Sequence, residues 1–238
     1  MDGGDVLLVD KQFFIGLTAR TDEQGIREFA AAVEPHGYQV AAIEVSAGLH
    51  LKSIVNYVGR NTLLPETKQR LGKQVALQVP AGSTLFLDAG STVMAVASFL
   101  RGPLTVITTS LDIAQHFSDR EDVELILLGG KWDHQQRLFA GSATLSLLFR
   151  YRADIAILGA CAIHAELGLS AGKEADAEVK RAMLDASHAH WIVADHLKVN
   201  RCEPYLVSGL SNIQQLFLDR PWPELGDPGA LQVTVCAN

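Results

Sequence analysis

Thr84-Leu85-Phe86-Leu87-Asp88-Ala89-Gly90-Ser91-Thr92 is the stretch whose reading decides the fold. An apolar run with a β-branched start predicts a short buried strand, Thr84–Leu87, and a helix-like run, Val93 to Leu100, begins after Ser91 and Thr92. Gly90 lets the backbone turn with positive φ or approach a ligand closely. Ser91 or Thr92 can cap the first helical turn, where unpaired N–H groups and the positive end of the helix dipole converge. Such a turn can cradle a phosphate or carboxylate. Ser91 and Thr92 acting only as an N-cap is an equal reading of this stretch by itself. How often the arrangement recurs decides between them.

Outward from it, the arrangement does recur. Leu64-Pro65-Glu66 is a candidate domain boundary, dividing residues 1–64 from 65–238. Leu71, Val75 and Val79 at i, i+4, i+8 predict an amphipathic helix over Thr67–Val79, stopped by Pro80-Ala-Gly82. Strand-like and helix-like runs then alternate: Leu104–Ile107 into Leu111–Phe117, Leu125–Leu128 into a Gly-Gly, Ile155–Leu158, the helix Ala175–Ser187, and Trp191–Ala194. Alternation of this kind defines an α/β class with a mostly parallel sheet flanked by helices. Ligands of such sheets sit beyond the C-terminal ends of strands. There this chain carries Asp88, Gly90, Ser91 and Thr92; Thr108, Thr109 and Ser110; Gly129, Gly130 and Lys131; Gly159-Ala-Cys161; and Asp195-His196-Leu197-Lys198. Hydroxyls, backbone amides and a lysine at several strand ends suit a polyol phosphate. Each singly reads as a cap or turn; their coincidence is the argument.

This part resembles, over about 66–235, the C-terminal effector-sensing domain of the DeoR family of bacterial transcription regulators. The matching residues are Phe86-Leu-Asp88-Ala-Gly90-Ser-Thr92, Val106-Ile-Thr-Thr-Ser110, Leu127-Leu-Gly-Gly130, Ala153-Asp154 with Leu158-Gly-Ala160, Glu178-Val-Lys180-Arg-Ala-Met183, and Ala194-Asp195 with Lys198-Val-Asn-Arg201. The resemblance implies a fold like ribose-5-phosphate isomerase and the CoA transferases. It implies a phosphorylated sugar as effector, and a pocket lined by Asp88, Gly90, Ser91, Thr92, Thr108, Thr109, Ser110, Gly129, Gly130, Lys180, Asp195 and Lys198. Cys161 and Ala162 stand where the family usually has Asp-Gly, which puts contacts from that loop in question. Residues 1–64 have neither two adjacent helices nor a basic face in place of the family's usual helix-turn-helix. The expectation is therefore a chain that, as given, does not bind operator DNA in the family's way but senses a ligand and assembles with copies of itself.

Residues 1–64 read as one ββαβ unit: strands Val6–Val9 and Phe13–Leu17, a helix capped by Thr21 or Asp22 with Ile26, Phe29, Ala30 and Val33 at helical spacing, and a strand Tyr38–Val45. Asp2-Gly-Gly-Asp5, Gly16-Leu-Thr-Ala-Arg20-Thr21 and Gly48-Leu-His50-Leu-Lys52 resemble the dimethylarginine dimethylaminohydrolases of the guanidine-modifying enzymes. By that resemblance His50 is the catalytic acid/base, Asp2 holds a guanidinium and Arg20 grips a carboxylate. Those enzymes close a five-bladed propeller, of which this chain carries one blade, and the surroundings of Cys236 lack the family's nucleophile pattern. Met1 falls directly before the first motif, so the expectation is a truncated or fused remnant rather than a working hydrolase.

Net charge −7 and a pI near 5.6 argue against a nucleic-acid surface spread over the whole molecule, and no Lys/Arg cluster stands out. Hydrophobic residues make up 48% of 238, enough for a sizeable core. Three cysteines, Cys161, Cys202 and Cys236, without close pairing suit a reducing compartment. No apolar run approaches the ~20 residues of a membrane span, so cytoplasm is expected and no membrane contact. His188-Ala-His190 with His196 invites a metal reading, but no third ligand has the spacing; Cys161-Ala-Ile-His164 invites a nucleophile pair, but lacks an orienting partner. No Rossmann glycine fingerprint, P-loop or nucleophile elbow occurs, and neither cofactor nor metal is expected. The preferred reading is a sugar-phosphate-sensing regulatory domain that lacks its helix-turn-helix. The alternatives are an isomerase-like sugar-phosphate enzyme using Asp88 or Asp195 with Lys180 or Lys198, and the incomplete hydrolase centred on His50.

Overall fold

The computed structural model describes residues 2–9, 11–45, 51, 55–57 and 63–236. They fall into two compact units, Met1–Thr67 and Lys68–Asn238. In the first, β1 (Val6–Val9) pairs antiparallel with β2 (Gln12–Leu17), α1 (Glu23–Val33) crosses over, and β3 (Gln39–Glu44) returns parallel to β2. Asp22 caps α1 by accepting from the Gly25 amide, and Gly37 ends the segment with φ +82°. Buried Asp5 ties this unit together, accepting from the Thr18 and Thr21 hydroxyls at 2.7 and 2.6 Å and from the Leu51 amide at 3.0 Å. A short antiparallel pair, β4 (Val55–Tyr57) and β5 (Leu63–Pro65), follows. His50 lies outside the described residues.

The second unit opens with α2 (Glu66–Ala76), shorter than the apolar spacing through Val79 predicts because Gln78 and Val79 close tighter turns onto Val75 and Ala76. Its sheet contains β6 (Thr84–Leu87), β7 (Leu104–Thr108), β8 (Val123–Leu127), then, beyond a hairpin of β9 (Lys131–Asp133) and β10 (Leu138–Ala140), β11 (Ala153–Gly159). A small antiparallel sheet holds β12 (Ala162–His164), β13 (Gly168–Ala171) and β15 (Tyr205–Ser208). The main sheet is completed by β14 (Ser187–Ala194), β16 (Gln215–Leu218) and β17 (Gln232–Val235). The seven strands run in the order β17-β16-β14-β11-β6-β7-β8, every pairing parallel. The helices are α3 (Ser91–Phe99), α4 (Leu111–Phe117), α5 (Ser142–Leu148) and α6 (Glu174–Asp185). This is the expected α/β class.

Both faces of the central strands are buried, as parallel strands require. Phe86, Ile107, Ala156, Leu158, Ile192, Ala194, Leu216 and Leu218 share one cluster with Ala177, Val179, Ala182 and Met183 of α6. The alternate residues, among them Leu85, Leu87, Val106, Ile157, Val193 and Phe217, are buried on the other face. The strand order also fixes where a ligand goes. From β6 the chain runs outward through β7 and β8, then returns to place β11 on the opposite side of β6. The order reverses between β6 and β11, and the connections there leave to opposite faces, opening a crevice at the strand tips.

Candidate functional site

A cavity of about 610 Å³ occupies that crevice, lined from β6's tip by Ala89–Val93 and from β11's by Gly159, Ala160 and Cys161. The loop before α6 and its first turns add Gly172, Lys173, Asp176 and Lys180; the turn after β14 adds Lys198; the β9–β10 hairpin adds Gln135, Gln136 and Leu138; Glu203 closes the set. All belong to the second unit.

The floor is a buried charge cluster. Two-residue alternation puts Asp88 on the side of Phe86, facing α6, and there it meets Lys180, whose Nζ hydrogen-bonds Asp88 Oδ2. Lys180 also donates to the Gly159 carbonyl at 3.2 Å and lies 3.6 Å from Asp176, one helical turn earlier. The Gly159 amide donates to Asp88 Oδ2 at 3.0 Å, while Oδ1 is buried without a hydrogen-bond partner among the described residues. Burial pushes the Asp88 carboxyl up; Lys180 opposes this and Asp176 adds to it. Burial also works against the Lys180 ammonium, but Asp88 and Asp176 outweigh it and hold the amine above its ordinary value. Lys180 thus ties the two carboxylates together at the cavity floor. The Cys161 thiol, 3.5 Å from Asp176 Oδ2, is raised by burial first, despite Lys180, and is no activated nucleophile.

The rim differs in kind. Gly90, with φ +112° and open space where a Cβ would stand, precedes α3 and supplies no side-chain cap, so the first amides of α3 face the cavity with no cap competing for them. Ser91 and Thr92 are therefore the first residues of the helix and not its caps. Lys68 on α2 donates to Ser91 Oγ at 2.8 Å, which leaves the Ser91 hydroxyl proton free to point elsewhere. Lys198 is half-buried and has no ion-pair partner among the described residues. Lys173 is spoken for: it donates to Asp133 Oδ2 at 2.7 Å and Gln135 Oε1 at 2.9 Å.

Of the residues singled out in the sequence, Gly90, Ser91, Thr92, Lys180 and Lys198 line the cavity, and Asp88 lies beneath it. The other strand tips do not reach its wall. Thr108 turns inward, donating to the Leu87 carbonyl at 2.6 Å and accepting from the Ser110 amide. Ser110 caps α4 through the Ile113 amide, and Thr109 is buried with its carbonyl bound to the Phe139 amide. The Gly129 carbonyl accepts from Thr144, whose hydroxyl leaves no room for a side chain at Gly130. Asp195 accepts from the Leu197 amide and lies 3.7 Å from Lys68, shaping the turn that carries Lys198. All these tips lie one or two strands away from the reversal of strand order, or are bonded to their own turn.

Lys68, Lys173, Gln135, Gln136, Asp176 and Glu203 escape sequence reasoning. Only Asp176 carried a signal, its i, i+4 spacing from Lys180. The histidines are engaged structurally: His196 binds Asp219 through its amide and Nδ1, both at 2.6 Å, and His190 Nδ1 meets the Asn212 carbonyl. His164 accepts from the Glu166 amide, and no metal-holding group of His, Cys, Asp and Glu occurs among the described residues. In the first unit, Asp2 and Arg20 face each other at 3.9 Å.

An open parallel α/β domain with a small-molecule cavity at its switch point is what the fold and site define. The DeoR C terminal sensor domain family matches residues 64–220, and the chain belongs to that family. It is 33% identical over 204 residues to the HTH-type transcriptional repressor GlcR of Bacillus subtilis (strain 168), covering 85% of this chain and 76% of that protein. It is 32% identical over 166 residues to the glycerol-3-phosphate regulon repressor of Escherichia coli (strain K12), covering 69% of this chain and 66% of that one. Among solved structures, ribose 5-phosphate isomerase A from Methanocaldococcus jannaschii is similar over 56% of this chain and 54% of its own (18% identity, TM-score 0.41). DDAH from Pseudomonas aeruginosa is similar over 26% of this chain and 24% of its own (37% identity, TM-score 0.25). A likeness of that extent assigns no chemistry to Asp2, Arg20 or His50. No helix among the described residues is long and apolar enough to cross a membrane.

Proposed function

We propose that the cavity binds a phosphorylated sugar or related small anion, and that the domain reports occupancy of the cavity without converting the ligand. One observation carries the reading: the uncapped N-terminus of α3 opens into the cavity beside Lys198, an ammonium with no partner among the described residues. Helix amides and a cation together form an anion site. The volume of about 610 Å³ fits a small phosphorylated ligand, and Gln135, Gln136 and Glu203 supply polar groups for its hydroxyls. One relative is named for a glycerol-3-phosphate regulon, which agrees with this chemistry. Lys180, one of the groups an isomerase-like reaction would use, is tied to Asp88 and Asp176. The domain would act as the effector-sensing part of a transcription regulator that works as a homo-oligomer.

The test is a melting screen over phosphorylated sugars, each beside its unphosphorylated parent. A phosphorylated compound should raise the melting temperature of the wild type and its parent should not. Lys198→Ala should weaken the response about tenfold, as loss of one charge-assisted contact does. Ser91→Asp, which sets a carboxylate at the same helix N-terminus, should abolish it. Equal responses from all three proteins would move the site elsewhere, and product formation would make the domain an enzyme.

A further inference from the structure

Lys68 stands outside the cavity wall, yet it touches both elements that make the cavity attractive to an anion. Its Nζ donates to Ser91 Oγ at 2.8 Å, at the first residue of α3. The same atom lies 3.7 Å from Asp195 Oδ2, and Asp195 Oδ1 holds the turn that leads to Lys198. The Lys68 side chain is 19% exposed and that of Asp195 only 7%, so solvent screens the pair weakly. One turn further along α2, on the same face, is Gly72. A Cβ there would stand 2.4 Å from the Ala95 carbonyl group, so α2 and α3 meet backbone to backbone at this point. Gly72 therefore fixes the crossing of the two helices, and Lys68 reaches from it to α3's N-terminus. The chain passes from the first compact unit into the second between Thr67 and Lys68, within the first turn of α2.

The geometry points to Lys68 as the positioning residue of the anion site and the contact through which occupancy of the cavity is felt in α2. This rests on the reading of the cavity as an anion site. Because Lys68 donates to Ser91 Oγ, the Ser91 hydroxyl proton is turned away from α2 and is available to a ligand. An anion accepting that proton polarises the pair and strengthens the Lys68 hydrogen bond behind it. By linkage, whatever Lys68 adds to ligand affinity, the ligand adds to the hold on α2's first turn. Binding thus tightens the helix with which the second unit begins.

Hydrogen exchange and melting of the full chain test this, with inorganic phosphate and ribose 5-phosphate as probes. In the wild type, either probe should slow exchange at the start of α3 and in the first turn of α2. Lys68→Met keeps the apolar stem. It should bind about tenfold more weakly and, at saturating probe, protect α3 but not α2. Lys68→Arg should restore the α2 response. If the wild type responds and Lys68→Met matches it in affinity and α2 protection, the inference falls while the site stands. If the wild type responds to neither probe, the cavity reading itself fails. If Lys68→Met and Lys68→Gln both unfold without ligand, Lys68 is structural and the inference is overturned.

Discussion

The tips of β6 and β11 and the tips of β7 and β8 look alike in the sequence and behave differently in the structure. Both pairs end in glycines and hydroxyls after apolar strands. At β6 and β11 the groups face a cavity; at β7 and β8, the buried Thr109 hydroxyl apart, they bind one another, the β9–β10 hairpin and α5. Strand order makes the difference. The order reverses between β6 and β11, and the cavity lies at their tips, with Lys198 reaching it from the turn after β14. Polar residues at a strand end thus reach the cavity wall beside the reversal and form turns away from it.

The sharpest break of this comparison is Lys180→Met. It leaves Asp88 and Asp176 buried without their cation, and unpaired buried charges cost about 3–5 kcal/mol. Urea unfolding should show that loss. An unchanged midpoint would mean the floor is not a charge tie. Gly130→Ala probes the closed tips. Its φ of +151° and the Thr144 hydroxyl in the way predict a cost of about 1–3 kcal/mol. The melting response to a phosphorylated ligand should nonetheless persist; its loss would place the β8 tip in the site after all.

The smallest effect is a pH dependence. Lys173, with the Gln136 and Gln135 amides, holds the Asp133 carboxyl down at about 2 against an ordinary 3.8. The unfolded chain therefore binds this proton more readily. The stabilisation is present above pH 3.8 and is lost as pH falls toward 2. Melting curves of wild type and Asp133→Asn should converge over that window. A gap that stays constant would detach Lys173 from Asp133.

How much was legible follows the range of the forces involved. The apolar run of β6 located that strand to the residue, because burial on both faces writes a continuous hydrophobic stretch, and the alternation located α4. The β9–β10 hairpin, α5 and the β12–β13–β15 sheet carry short, mixed patterns that no period singles out. Gly90 and Ser91 announced the cavity-lining turn locally. Glu203 and Gln135, which line the cavity, and Lys68, which touches it through Ser91, gave no sign, since each comes from a segment distant in sequence.

By itself, the sequence determined the α/β class, the alternation of its longer strands and helices, and the family, for hydrophobic period and local turn chemistry are properties of neighbouring residues. Only the tertiary structure decided which of the similar strand tips form a cavity, and that Lys180 is ion-paired while Lys198 has no ion-pair partner among the described residues. Those outcomes depend on which strands become neighbours and which carboxylates a folded chain brings within reach of each ammonium.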